Sequence, residues 1–510
     1  MKKLLIAIDQ SNTSHLFWAI VAAAILIAAR MQAIQHGWIN PDSVFYLEAA
    51  KLIVAGDFKG AYQIFKWPFY AICIGVVSKL TTFNVHLSAQ LLNMMFFGIA
   101  TASFLKIIQL SGGKNLALFA GGLLLFSNLY IVGDVLEMLM RDEGFWAFYL
   151  TSLVFFIRYY QLHKISDAIM WQICAIIAVL FRIEAITYLL LLPLIFTFDC
   201  QLNIKQRLTR LLHTYSIVLT ALTIIFISIV TIDSISIKSF GRLQEVFSMN
   251  IWSVFTQNLM QKSTIMSEQV LGKYLEEYAV VGLLLTFTYV IIIKNITTLG
   301  LINLVLLGAH VKNKLNQINS DVKRVLLATC IISLINMSLI ITKVFVLSSR
   351  YVVAFTFILL VGSALYLGHL FKKFTLRKKR GITIVIWFVI IISGLSLFKN
   401  LLTKESGYHY TQDAIEWVNN NFVSNHIFYE DSKMRYYAEA PFIGTGMYDL
   451  STINNTNNTN KHFDLLVLNF GKHDQEKRKM IQQLLPEYKE IKRFYARKHK
   501  KYCAIYQKKM

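Results

Sequence analysis

Ten charged residues stand at the edges of long apolar runs: Asp42, Glu48, Asp134, Glu137, Arg141, Asp142, Glu143, Arg182, Glu184 and Arg350. Most fall in four short strings, NPDSVFYLEAA (40–50), MRDEGFWAF (140–148), FRIEAI (181–186) and SSRYVVAF (348–355). A carboxylate within hydrogen-bond reach of a hydroxyl takes its proton as that oxygen attacks, an effect worth roughly 100- to 10,000-fold in rate. A guanidinium stabilises negative charge that develops on a departing anion. Each string also has a plain local explanation. Asp42 after Pro41 suits the cap of a helix whose first turn follows, and Asp142 and Glu143 favour the start of the apolar helix that follows. Arg182 and Glu184 fit a turn between two short helices, and Arg350 with Tyr351 fits snorkelling at a span end.

The elements that position these residues follow from composition. The chain has 510 residues, 55% apolar and 16% charged, and its apolar residues come in blocks of about 16 to 24. A helix needs about 20 such residues to cross the hydrocarbon. Only helices satisfy their own backbone in lipid over such blocks, whereas a barrel would alternate over about ten residues. The fold class is therefore a polytopic α-helical membrane protein. The run after Lys2 and Lys3 is too long for a signal-peptide core, and we take it as an uncleaved first helix. Five cysteines (Cys73, Cys174, Cys200, Cys330, Cys503) form no CxxC, and suggest neither a metal site nor a disulfide framework.

The segmentation predicts eleven spans, with a range of 10–13: 14–34, 86–108, 116–133, 144–160, 167–181, 184–199, 214–234, 279–294, 325–346, 351–370 and 382–399. The stretches 67–83 and 296–310 read as interfacial or re-entrant helices. With the N-terminus inside, the cytoplasmic loops hold 18 Lys/Arg in 68 residues and the external ones 12 in 114. That is the positive-inside bias, and it accounts for much of the net charge of +22 without nucleic acid. It also places all four strings on the external face. Residues 1–400 thus form the membrane domain, with external loops 35–84 and 235–278, the latter suited to an amphipathic helix lying on the membrane or to a lid. Residues 401–510 form a small extracytoplasmic α/β domain, with helices in TQDAIEWVNNNF and DQEKRKMIQQLLPEYK and strands in HIFYED, FDLLVLN and KYCAIYQ. The run STINNTNNTN reads as a loop with little order.

The order of features resembles the GT-C superfamily of integral-membrane glycosyltransferases, in the branch of the protein mannosyltransferases and the aminoarabinose transferase of lipid A. It runs PDxxxYxxxA, GD, WPFY, an acidic external string, xRxEA and a late RY. The resemblance covers residues 1–200 well and 325–510 loosely. It implies that Asp42 is the catalytic base, and that Asp142 with Glu143 binds acceptor or a divalent metal ion. It also puts Arg182 and Arg350 near the phosphate of a polyprenyl-phosphate sugar donor. Tyr46, Glu184 and Tyr351 join these as substrate-binding candidates. Ser43 stands where the family often has a second acid, and Pro68 stands alone where it often has two prolines. Implied with it are a lipid, glycan or protein acceptor, an inverting displacement, surrounding membrane lipids and a bacterial inner membrane with the site on the periplasmic face. Rival readings are a polysaccharide polymerase or ligase, which calls for a large arginine-rich loop late in the chain, and a transporter of lipid-linked sugars, which calls for inverted repeats.

Overall fold

The computed structural model describes residues 1–34, 39–231, 251–312, 319–376, 380–402, 409–422, 426–442, 444, 463–471, 474–484, 486–496 and 501–509. Among the described residues the chain is mostly helical, with six helices long and apolar enough to cross a membrane and a small C-terminal sheet. The six are Thr13–Ala33, Val85–Leu110, Glu276–Leu299, Ser320–Val344, Val353–Leu376 and Arg380–Leu401. Other expected spans take shorter or broken forms for visible reasons. The run 116–133 is helical over Asn115–Phe126, then breaks at Ser127 and Asn128 before a π-helical turn at Ile131–Val135. The run 184–199 is assembled from two 3₁₀ turns and the six-residue helix Ile186–Leu191, with Pro193 at the start of the second turn. The stretches 67–83 and 296–310 contain the helices Phe69–Thr81 and Leu301–Lys312. Of loop 235–278, residues 235–250 lie outside the described residues, as does STINNTNNTN; the rest holds the helix Ile251–Met266.

The chain divides into two units. The first comprises residues 1–28, 93–136 and 141–401. Its centre is the helical hairpin Asp142–Leu162 and Ile165–Phe181, joined by two residues of which His163 is left-handed (φ 56°). Trp146, Trp171, Phe156 and Phe196 are fully buried in it, with the Phe156 and Trp171 rings 5.1 Å apart. Beside it, helix Asn115–Phe126 packs on Val353–Leu376 so closely that a Cβ on Gly368 would fall 2.6 Å from Ala117 Cα. Where Asn115–Phe126 ends, the freed backbone groups are met by amide side chains, as buried backbone groups require. Asn128 Oδ1 accepts from the amides of Tyr130 (3.1 Å) and Ile131 (2.8 Å), and its Nδ2 donates to Thr298 O at 2.9 Å. Asn400, on the last long helix, donates to Phe126 O at 3.4 Å and to Asn128 O at 3.3 Å.

The second unit comprises residues 29–92, 137–140 and 402–510. Its sheet has strands β1 (Ile427–Tyr429), β2 (Leu465–Phe470), β3 (Tyr488–Tyr495) and β4 (Tyr502–Lys508) in the order β1-β2-β4-β3. The β1–β2 pair is parallel, and β2–β4 and β3–β4 are antiparallel. Leu465, Val467, Cys503 and Ile505 pack on one side with helix His409–Asn421, and Leu466, Leu468, Phe470 and Ala504 on the other with Ile481. Burial on both faces is why β2 reads LLVLNF, with no polar alternation until Asn469. One expectation is corrected here. The second polar helix, read through Lys489, runs only over Gln475–Leu484, and Pro486 follows it. YKEIKRFY beyond it is strand β3, at the sheet edge.

Candidate functional site

The first unit gathers six of the sequence candidates, Asp142, Glu143, Arg182, Glu184, Arg350 and Tyr351, at one end of the hairpin. Helix Asp142–Leu162 starts on the acids themselves, so Asp142 and Glu143 occupy its first turn rather than the loop before it. The partner helix ends at Phe181, and Arg182 leaves it in extended backbone ahead of the Ile183–Ala185 turn that carries Glu184. Antiparallel pairing of the two helices brings positions 142 and 182 together. Arg182 Nη1 bonds Asp142 Oδ1, and Arg182 Nε lies 3.5 Å from Glu184 Oε2. The guanidinium also lies 4.4 Å from the centre of the Tyr351 ring and 5.8 Å from that of Phe145. Asp142 is 1% exposed and Arg182 4%, so this is a buried pair. Arg350, in the turn Ser349–Tyr351, approaches the other oxygen of Asp142 at 3.8 Å and keeps 28% of its side chain exposed. Tyr130 lies within electrostatic range of Asp142, Arg182 and Arg350.

Glu143 is fully buried, and neither of its carboxylate oxygens has a hydrogen-bond partner among the described residues. A buried carboxylate in that condition is costly for stability, so its presence beside an arginine pair marks the site. The hairpin's other end holds different chemistry: Tyr160 donates to Asp199 at 2.7 Å, Arg324 lies 3.7 Å from the same carboxylate, and Arg158 pairs with Asp167 at 3.1 Å.

Gly144, next to the acids, sets how closely the helices meet. A Cβ there would fall 2.4 Å from Phe181 Cε1. Alanine inside a helix normally stabilises by up to about 1 kcal/mol over glycine, and Gly308→Ala, where nothing lies within 4 Å, is expected to follow that rule. Gly144→Ala is expected to reverse it, destabilising by about 1–3 kcal/mol through overpacking and separating Asp142 from Arg182. Thermal denaturation of the two purified variants checks the signs.

The remaining candidates belong to the second unit. Helix Pro41–Ala55 is capped by Asn40, whose side chain accepts from the Asp42 amide at 2.9 Å, with Pro41 at the first helical position. The capping explanation of Asp42 is thus corrected: Asp42 sits one residue inside the helix, half-buried, and its neighbour caps. Tyr46 is 3% exposed, and its ring centre lies 5.3 Å from those of Phe65 and Tyr70, which makes it a core residue. Glu48 pairs with Lys51 at 2.7 Å. Ser43, standing where the family often has an acid, is fully buried with its Oγ 3.9 Å from Met140 Sδ, a position unsuited to a second charge.

No protein-family model and no curated protein matches this chain.

The donor set at Asp142 does not fit a divalent metal ion. Each carboxylate oxygen already faces a guanidinium, and the described residues offer no group of three His, Cys, Asp or Glu side chains for a metal. Sequence reasoning missed Gly144, Phe145, Tyr130, Asn128 and Asn400. Only Gly144, inside DEGF, had a signal, as a glycine in a helix of aromatics.

Proposed function

We propose that the chain is a GT-C-type membrane glycosyltransferase that moves a sugar from a polyprenyl-phosphate donor to an acceptor hydroxyl on the extracytoplasmic face. The reading includes eleven spans with the four charged strings and the C-terminus outside, in a bacterial inner membrane. The buried Asp142–Arg182 pair supports it most, together with partly exposed Arg350 and unpartnered Glu143 at its side. A structural pair alone would leave unexplained why a second carboxylate is buried there without a donor.

The roles divide by exposure. Arg182, buried and held by Asp142, Glu184 and the Tyr351 ring, is a positioning residue, whereas Arg350 has exposed surface with which to meet a phosphate oxygen. Glu143 accepts a hydrogen bond from a substrate hydroxyl. In the reaction the acceptor oxygen forms its bond to the anomeric carbon as the bond from that carbon to the phosphate oxygen breaks. The proton goes to a carboxylate base, the part the resemblance gives to Asp42, and polyprenyl phosphate leaves with the electron pair. One displacement inverts the anomeric centre, and no sugar–enzyme bond forms.

The direct test is transfer from membranes carrying a labelled polyprenyl-phosphate sugar, with and without the purified protein. Inverted product that depends on the protein is expected, and absence of transfer from every such donor removes the class. A reporter fused after residue 400 is expected outside the cytoplasm; a cytoplasmic signal overturns the topology.

A further inference from the structure

The charge at the end of the chain is not explained by topology. Residues 474–510 hold twelve Lys/Arg against four Asp/Glu, whereas 401–473 hold five against eight. The positive-inside bias acts through short loops, within about 15–20 residues of a span end. Helix Arg380–Leu401 ends roughly seventy residues before Asp474, so these cations have no part in orientation. Nor does the fold consume them. Lys477 is paired with Glu430 and Arg493 with Glu490, but no ion pair joins Arg478, Lys479, Lys489 or Lys492 to an acid among the described residues. All four are exposed.

Two of them, Lys489 and Lys492, stand on one strand, and the other two on the helix Gln475–Leu484. β3 is an edge strand, about 26 Å long at 3.3 Å per residue. A pairing irregularity between Glu490 and Lys492 interrupts its alternation, and both Lys492 and Arg493 are exposed beside Lys489 on the same strand. Aromatic rings accompany the row. Arg478 and Arg493 lie 5.1 and 5.0 Å from the Tyr502 ring centre, Lys492 lies 5.9 Å from that of Trp417, and Tyr495 is 45% exposed. Cations at intervals along a strand suit repeated anions, and an exposed ring suits the face of a sugar.

We propose that this sheet edge binds an extended, phosphate-bearing glycan. The choice of a glycan over a nucleic acid rests on the extracytoplasmic placement put forward above. The charge complementarity does not.

The test uses the full-length protein in nanodiscs of zwitterionic lipid, with labelled phosphorylated dextran, neutral dextran and poly-uridylate RNA as probes. Phosphorylated dextran is expected to bind at least tenfold tighter than neutral dextran and to weaken steeply as salt rises. Lys489→Gln/Lys492→Gln is expected to lose about tenfold in that affinity and to flatten the salt slope by roughly 1–2, with its melting temperature unchanged. Lys59→Gln/Lys66→Gln, which removes two exposed cations elsewhere, is expected to bind as the unmodified protein does. Equal loss in both variants, or none in the first, overturns the proposal. So does tighter binding of the RNA, which would make the edge a nucleic-acid surface, or loss of binding when the nanodiscs carry anionic lipid, which would assign it to headgroups. A cytoplasmic reporter after residue 400 sinks the transferase topology by itself, and the probe series reads the surface separately.

Discussion

Asp42→Asn is expected to lower sugar transfer roughly 100- to 10,000-fold, the range a general base contributes, while the protein still inserts and folds. The separation of these effects follows from the local geometry. Asn40, not Asp42, caps the helix, and its bond to the Asp42 amide does not involve the Asp42 side chain. Asparagine keeps the shape of the carboxylate and loses its capacity to take a proton. Asn40→Ala is the complementary change, removing the cap at a cost of about 1 kcal/mol and leaving the acid. If Asp42→Asn transfers at the unmodified rate with labelled donor, the acid takes no proton in the reaction.

The second large effect is expected at Arg182. Among the described residues, Arg182→Met leaves Asp142 buried against only the more distant Arg350, and removing one partner of a buried ion pair typically costs about 3–5 kcal/mol. Replacing both partners by apolar residues of similar volume is often neutral. Asp142→Leu/Arg182→Met is therefore expected to recover most of the melting temperature lost in the single variant, yet to remain inactive, because the anchor of the site is gone. Recovery of both stability and transfer would reduce the pair to a scaffold.

Much of the fold was legible because apolar run length is a direct physical requirement of the bilayer. The six long helices overlap runs read from sequence, although Glu276–Leu299, Ser320–Val344 and Val353–Leu376 each extend beyond the predicted 279–294, 325–346 and 351–370 at one end or both. Asp142 and Arg182 were legible for a related reason: charge bias in the loops assigned both to one face, although forty residues separate them. What remained hidden depended on three-dimensional pairing without local signature. Asn128 and Asn400 meet across 272 residues, and neither looks unusual in its own string. Strand β3 carried its alternation on lysines, arginine and glutamate, so charge masked the period of two. At NPDS two adequate capping residues stand two apart, and only backbone geometry decides between them.

The amides of Asn400 bear on how the protein is made. Its side chain satisfies carbonyls at Phe126 and Asn128, beside the turn that leads to Tyr130. During synthesis the chain inserts those carbonyls long before residue 400 leaves the ribosome. Until then the broken end of that helix lacks these donors in a medium where an unsatisfied backbone group costs several kcal/mol. The nascent protein therefore passes through a stage in which all four charged strings have been translated but the backbone beside one cluster is unfinished. Helix Arg380–Leu401 supplies those donors through Asn400, so the backbone at Phe126 and Asn128 is completed by a residue made more than 270 positions later.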